Sequence, residues 1–289
     1  MAVSSPGSVS TLRGCARGLA AAAVLSAGLG GEALAAPTEP LSLSFELFAK
    51  GVRVYAIDFD ADLGPSGYKA DVKARTVGIA SWFIDESYTL RASGRFAGEQ
   101  ARPAHYYDRK DEDGESKTAE VSWASGKVSA KRSYKLDSDR AAAVQKVLTP
   151  TIPDPLSAIL TRAIDMADQP CKGAQRIYDG KQIYEFVFSF VKRDDFGERD
   201  AGVYRGPSYQ CKVEYKPVAG QSERKLKRLA KKRQIYRVWF APVASKALGR
   251  DILLPIAATG EVKGHDVVIY TRAATIAGRP LNQKSLASR

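Results

Sequence analysis

The sequence predicts a mainly β protein: a large curved antiparallel sheet, or an open or half barrel, carrying two or three short helices. Three observations lead there. Apolar and polar residues alternate with period two in many short segments, Gly, Pro and Asp punctuate those segments, and the crossover helices that parallel strands need are missing.

Leu41, Leu43, Phe45 and Leu47 alternate with Ser42, Ser44 and Glu46, and after Lys50-Gly51 the pattern resumes over residues 52–60 with Tyr55, Ile57 and Phe59 on one face. It recurs at 68–76, 88–93, 104–109, 117–123 and 127–134, which predicts a meander with one apolar and one wet face. Asp154-Pro155-Leu156-Ser157 breaks this rhythm. An N-cap residue, Pro at the first helical position and apolar residues at helical spacing as far as Ile164 predict a helix that ends before Pro170. Residues 175–178 and 181–190 flank Asp179-Gly180, a dipeptide suited to a tight hairpin turn. Strands follow at 209–215, 235–240, 252–256 and 267–271, and residues 281–289 read as a frayed tail.

Residues 1–35 read as a cleaved signal peptide. Arg13 and Arg17 supply positive charge, residues 19–29 form a short apolar run, and Ala33-Leu34-Ala35 offers a small-x-small cleavage site. The run is too short for the roughly 30 Å hydrocarbon core of a bilayer; an uncleaved N-terminal anchor is the alternative reading. Cys15 precedes the run, so it is not placed for lipidation and leaves with the leader. Residues 36–289 are then a single β-rich domain with no second long apolar stretch, expected as a soluble periplasmic protein. Cleavage leaves Cys171 and Cys211, and two thiols in an oxidising compartment pair by default. The long loop that such a bond closes stabilises the fold by about 4 kcal/mol. A redox pair would call for Cys-x-x-Cys spacing, which is absent.

The chain has 289 residues, 44% hydrophobic and 26% charged, a composition that argues against disorder. Three Cys and two His cannot furnish a zinc ribbon or a three-histidine centre, and no metal or other cofactor is expected. Asp58-x-Asp60-x-Asp62 fails as a calcium loop because Leu63 stands where the turn Gly belongs and Lys69 where the bidentate Glu should be. It reads as a solvated strand face, and Asp111-Glu112-Asp113-Gly114 as an exposed hairpin turn. Neither His105 nor His265 has a Gly-x-Ser-x-Gly nucleophile to serve, and no phosphate-binding loop or dinucleotide fingerprint exists. No catalytic residue is assigned.

The net charge is +12, and Arg224, Lys225, Lys227, Arg228, Lys231, Lys232 and Arg233 crowd seven cations into ten positions. Such a run could grip nucleic-acid phosphates, but export removes that partner. Anionic lipid or lipopolysaccharide remains, with clustered cations gaining about 1 kcal/mol each near such a surface. A solvated connector between strands is the plainer reading.

Asp154-Pro155-Leu156-Ser157, the Asp179-Gly180 hairpin between two cysteines, Cys211-x-Val213-x-Tyr215-x-Pro217-Val218-Ala219-Gly220, Trp239-Phe240-Ala241-Pro242 and Pro255 together resemble the exported bacterial proteins of the domain of unknown function 3108 family. The resemblance spans about residues 41–271. It implies a periplasmic, mostly antiparallel β protein and no activity. The expected curved sheet is also similar, as a fold alone, to periplasmic carriers of lipoproteins. Three functions follow as expectations. The leading one is a non-enzymatic envelope protein whose concave face, built from Phe45, Tyr55, Phe59, Trp123, Phe186, Phe188 and Trp239, holds a lipid, another apolar ligand or an envelope partner. The others are a scaffold with a filled core and a cell-wall or glycan hydrolase.

The leader reading has a direct test. N-terminal sequencing of the protein from a native host should return Ala36 as the first residue, and recovery of Arg13 and Arg17 in membrane-bound material would contradict it.

Overall fold

Each alternating segment pairs with its sequence neighbour, and the hairpins accumulate into one antiparallel sheet. The computed structural model describes residues 38–196, 204–262 and 264–281. The expected leader, Cys15, Ala36 and residues 282–289 of the tail lie outside the described residues. The strands are β1 (Glu39–Ala49), β2 (Val52–Leu63), β3 (Gly67–Thr76), β4 (Glu86–Ala97), β5 (Gln100–Glu112), β6 (Glu115–Ala124), β7 (Lys127–Arg132), β8 (Gly173–Tyr178), β9 (Ile183–Phe196), β10 (Gly206–Ala219), β11 (Gln234–Ser245), β12 (Arg250–Val262), β13 (His265–Ile276) and β14 (Arg279–Pro280). The helices are α1 (Ser138–Val147), α2 (Pro155–Asp165) and α3 (Glu223–Lys231), with a 3-10 turn at Gly78–Trp82. Spatial order runs β7-β6-β5-β4-β3-β2-β1-β13-β12-β11-β10-β9-β8, and the short β14 pairs antiparallel with the end of β13. The fold is therefore mainly β, as expected.

The sheet bends at register shifts, among them Ser93/Gly94 between β4 and β5 and Trp239/Phe240 between β11 and β12. At the first of these Tyr68 lies so close over Gly94 that any Cβ there would collide with its ring. The bending brings the two ends of the sheet together without joining them by a ladder. The Asp179-Gly180 turn lands on β6, where a Cβ at Gly180 would sit 3.1 Å from Ala119 Cβ. From β7, Arg132 donates to the Gly180 carbonyl and to the Tyr178 hydroxyl at 2.7 Å.

α2 occupies the interior and touches β4, β5, β8 and β12. Its N-cap is the fully buried Asp154, whose carboxylate accepts from the Leu156 and Ser157 amides at 2.8 and 3.0 Å and from the Ser157 hydroxyl. Ser157 Oγ meets Tyr68 Oη at 2.6 Å, Thr161 Oγ1 accepts from the Ala101 amide at 3.0 Å, and Trp123 Nε1 donates to the Ile152 carbonyl at 3.1 Å. These bonds match Ser157, Thr161 and the Ile152 carbonyl to the surrounding strands, as burial demands.

Around this helix Leu41, Leu43, Phe59, Ala70, Ala92, Tyr106 and Val121 pack with Leu156, Leu160 and Ile164 into the main core. A second cluster gathers Met166, Val213, Phe240 and Leu253 around the bond between Cys171 and Cys211, whose Cα atoms are 5.2 Å apart. The expectation of one apolar and one wet face holds on β2, where Asp58 and Asp60 take hydrogen bonds from Ser44 and Ser42 at 2.8 and 2.6 Å on the outer side. It fails on β12, where Ile252 and Leu254 enter the main core and Leu253 the second cluster. A strand covered on both faces loses its alternation.

Two expectations need correction, and one gains a conformation. α1 was not anticipated; Asp137 caps it through the Arg140 amide at 3.1 Å and Val144 buries into the core. The run 224–233, read as a solvated connector between strands, joins β10 to β11 and is largely helical: Ser222 caps the nine residues Glu223–Lys231, whose Leu, Ala, Lys and Arg favour that state. Leu281 is not frayed: it is buried, and its amide donates to Ala274 O at 2.9 Å.

Burial raises the Asp154 carboxyl to about 6, against its hydrogen bonds. The folded state thus holds this proton more tightly than the unfolded chain, whose carboxyl titrates near 3.8. The contribution is favourable below about pH 4 and is lost as pH rises through about 6. Denaturant unfolding at several pH values should show Asp154→Asn flattening that slope while keeping a cap, and Asp154→Ala losing about 2 kcal/mol or more. The same assay should place Cys171→Ser/Cys211→Ser about 2–5 kcal/mol below the oxidised protein.

Candidate functional site

One face of α2 is spent on the main core, which leaves Pro155, Ala158, Ile159 and Arg162 on the other. Opposite them Tyr184, Phe186 and Phe188 share a face of β9 by their i, i+2 spacing. Val238 and Phe240 of β11 and Leu253, Pro255 and Ala258 of β12 complete the wall of a cavity of about 350 Å³. The aromatic side is held by its own ring contacts: Tyr184 stacks on Tyr215 at 5.2 Å, and Phe186 meets Tyr184 edge-on at 5.4 Å. Ile159 is both lining and solvent-exposed, so the cavity opens beside it.

The one charged side chain in this lining is Arg162, which is 8% exposed. Its guanidinium lies 4.7 Å from the Phe188 ring centroid, pairs with Asp165 at 2.7 Å and donates to the Lys172 carbonyl. Its Nε and the Asp165 Oδ1 have no hydrogen-bond partner among the described residues. Burial lowers the Arg162 pKa, and burial likewise lifts the Asp165 carboxyl to about 6 despite the opposing charge. Desolvation therefore outweighs attraction on both sides of the pair.

The seven aromatics expected to share a concave face do not share one. Phe186 and Phe188 line the cavity. Phe59 is buried in the main core, and Phe45 packs against it. Tyr55 lies toward the far end of the same face, donating to Glu86, whose carboxylate also takes Tyr88 Oη at 2.7 Å and Lys110 Nζ at 2.5 Å. Burial works to raise Glu86, but these donors hold its carboxyl below the ordinary range. Trp123 is engaged with Ile152. Trp239 alternates with the cavity-lining Val238 and Phe240, so it turns to the opposite face, donating to Asp194 at 3.1 Å and meeting Phe196 edge-on. Alternation in one strand does not say which strands share a face once register shifts intervene.

The basic helix stands next to the aromatic wall. Lys225 points inward, its ammonium 4.5 Å from the Tyr215 ring centroid and 3.4 Å from Gln182 Oε1, and burial lowers its pKa. Arg224, Lys227, Arg228, Lys231, Lys232 and Arg233 remain exposed. Of these, Lys227 pairs with Glu223 at 3.5 Å, Lys232 with Glu261, and Arg233 with Glu214 at 3.8 Å. His105 and His265 are both exposed, and no group of three or more metal-ligating residues exists among the described residues. No described helix is long and apolar enough to cross a membrane. Asp108, like Asp154 and Asp165, is raised to about 6 by burial, and it faces the charges of Lys181 and Asp179.

Sequence reasoning missed Arg162, Tyr184 and the β11–β12 part of the wall. A lone Arg in an apolar helix, at the position where Leu or Ala would continue the pattern, was the signal available for the first.

No curated protein matches the chain. Among solved structures it is similar to the crystal structure of a beta-barrel-like protein of domain of unknown function DUF1849 from Brucella abortus, at 10% identity over 83% of this chain and 98% of that one, with a TM-score of 0.45. The family model for proteins of unknown function DUF3108 matches residues 44–255, and with that the chain belongs to the DUF3108 family.

Proposed function

We propose that this is a non-enzymatic binding protein of the bacterial envelope, exported to the periplasm, whose cavity beneath α2 takes an acyl chain or a similarly slender apolar group. The observation that carries the reading is a cavity of about 350 Å³ with almost wholly apolar walls, whereas two larger clefts among the described residues, of about 1230 and 520 Å³, are lined by many more polar groups. That volume falls at the lower end of ligand pockets. Arg162 supports a ligand with a polar head, because its unpartnered Nε–H would gain an acceptor such as a carboxylate or ester oxygen. The exposed cations of α3, next to the aromatic wall, fit a donor or acceptor surface rich in anionic lipid. The disulfide supports an oxidising location.

Binding of a fluorescent fatty acid to the purified protein, with mass spectrometry of material that co-purifies from native cells, tests this. One equivalent of probe should bind. Ala258→Phe or Val238→Phe, which would fill the cavity from the strand side, should weaken binding about tenfold or more without changing the disulfide. Absence of both probe binding and co-purifying lipid would leave the filled-core scaffold as the better reading.

A further inference from the structure

Antiparallel pairing sends β1, β3, β5, β10 and β12 toward the same end of the sheet. The β1–β2 turn, the 3-10 turn at Gly78–Trp82, α3 and the β12–β13 turn therefore share one rim. Backbone contacts knit part of it together: Val77 N donates to Val54 O at 3.1 Å and Lys50 N to Asp266 O at 3.3 Å. Eight of the twelve large hydrophobic side chains exposed among the described residues lie on this rim. Ile79, Trp82, Phe83 and Ile84 form one group, and Trp82 and Phe83 are each 80% exposed. The 3-10 turn itself buries none of its residues. A Trp-Phe pair this exposed on a tip that has no role in the core marks a contact surface rather than packing.

We propose that this rim docks on an anionic bilayer, with the loop around Trp82 and Phe83 entering the headgroup boundary while α3 holds the lipid phosphates. Charge complementarity chooses the occupant. The exposed Arg224, Lys227, Arg228 and Lys231 stand on the same rim as the apolar loop, and basic residues beside interfacial aromatics are the pairing that peripheral proteins use on anionic membranes. Val52 and Val262, both exposed, flank turns that lie between the loop and α3 in strand order, and Leu226 and Ile235 are exposed on and just after α3. This inference shares the α3 contact with the function proposed above and is independent of the cavity.

The test is vesicle flotation and tryptophan fluorescence with the purified protein. Vesicles of equal parts phosphatidylglycerol and phosphatidylcholine should bind it at low salt and shift Trp82 emission to the blue; pure phosphatidylcholine should bind it about tenfold less well or worse. Trp82→Ser/Phe83→Ser should lose about tenfold in affinity and the blue shift, with unchanged unfolding because neither side chain packs in the core. Trp82→Phe should keep binding and lose only the spectral change. Neutralising Arg224, Lys227, Arg228 and Lys231 should remove the salt-sensitive part. Ala258→Phe should leave vesicle binding intact, which separates this inference from the cavity reading. Absence of binding to anionic vesicles, or binding unaffected by Trp82→Ser/Phe83→Ser, overturns it. So does self-association that this double variant abolishes in a protein indifferent to vesicles, which would make the loop a protein contact.

Discussion

A helix enclosed by a sheet must have the first turn of its backbone amides answered without water, and here Asp154 meets that demand. The carboxylate is fully buried, takes two amides and a hydroxyl, and through Ser157 reaches Tyr68 on β3. The same helix and its approach are tied by side-chain bonds to β3, β5 and β6. Thr161 fixes the start of β5 and Trp123 the end of β6, so the curvature of the sheet and the position of the helix are one constraint. The acidity of Asp154 is the cost: a group that needs burial to do its work is held in a place that disfavours its charge.

The sheet's two edge strands create a second problem, since unpaired β edges invite pairing with other chains. This fold leaves β7 and β8 unjoined but covers the approach with side chains, through Arg132 on the Gly180 carbonyl and Tyr178. The disulfide works nearby on a different element. It ties the segment after α2 to β10, which holds the far wall of the cavity in place relative to the helix.

What the sequence made legible follows from how local each signal is. The α2 start was readable because Asp154, Pro155 and Ser157 are contiguous, and the Asp179-Gly180 turn because two residues determine it. The outward Asp58 and Asp60 were readable from alternation against Phe59. The cavity was not, because it exists only where β9, β11 and β12 are brought to α2 by pairings distant in sequence. Trp239 shows the difficulty best: it belongs to the same aromatic pattern as Phe188, yet Val238 and Phe240 take the cavity side and leave it facing Asp194. α3 was hidden by composition, since a run dense in cations reads as solvated whether or not it is helical.

The middle of the sheet is the seam between β1 and β13, where Leu41 lies across from Ile276 and Ala49 across from Val267. Nearly the whole chain separates these partners, whereas β2 through β7 pair only with immediate neighbours. Synthesis from the N-terminus therefore produces a meander whose β1 edge stays open until β13 is available. Loop closure over such a span costs entropy that no local hairpin offsets, which makes this seam a late and slow event in folding. In the interval β1 presents Leu41, Leu43, Phe45 and Leu47 without their eventual neighbour, and it is in that unfinished molecule, rather than in the native one, that chaperone protection would matter most.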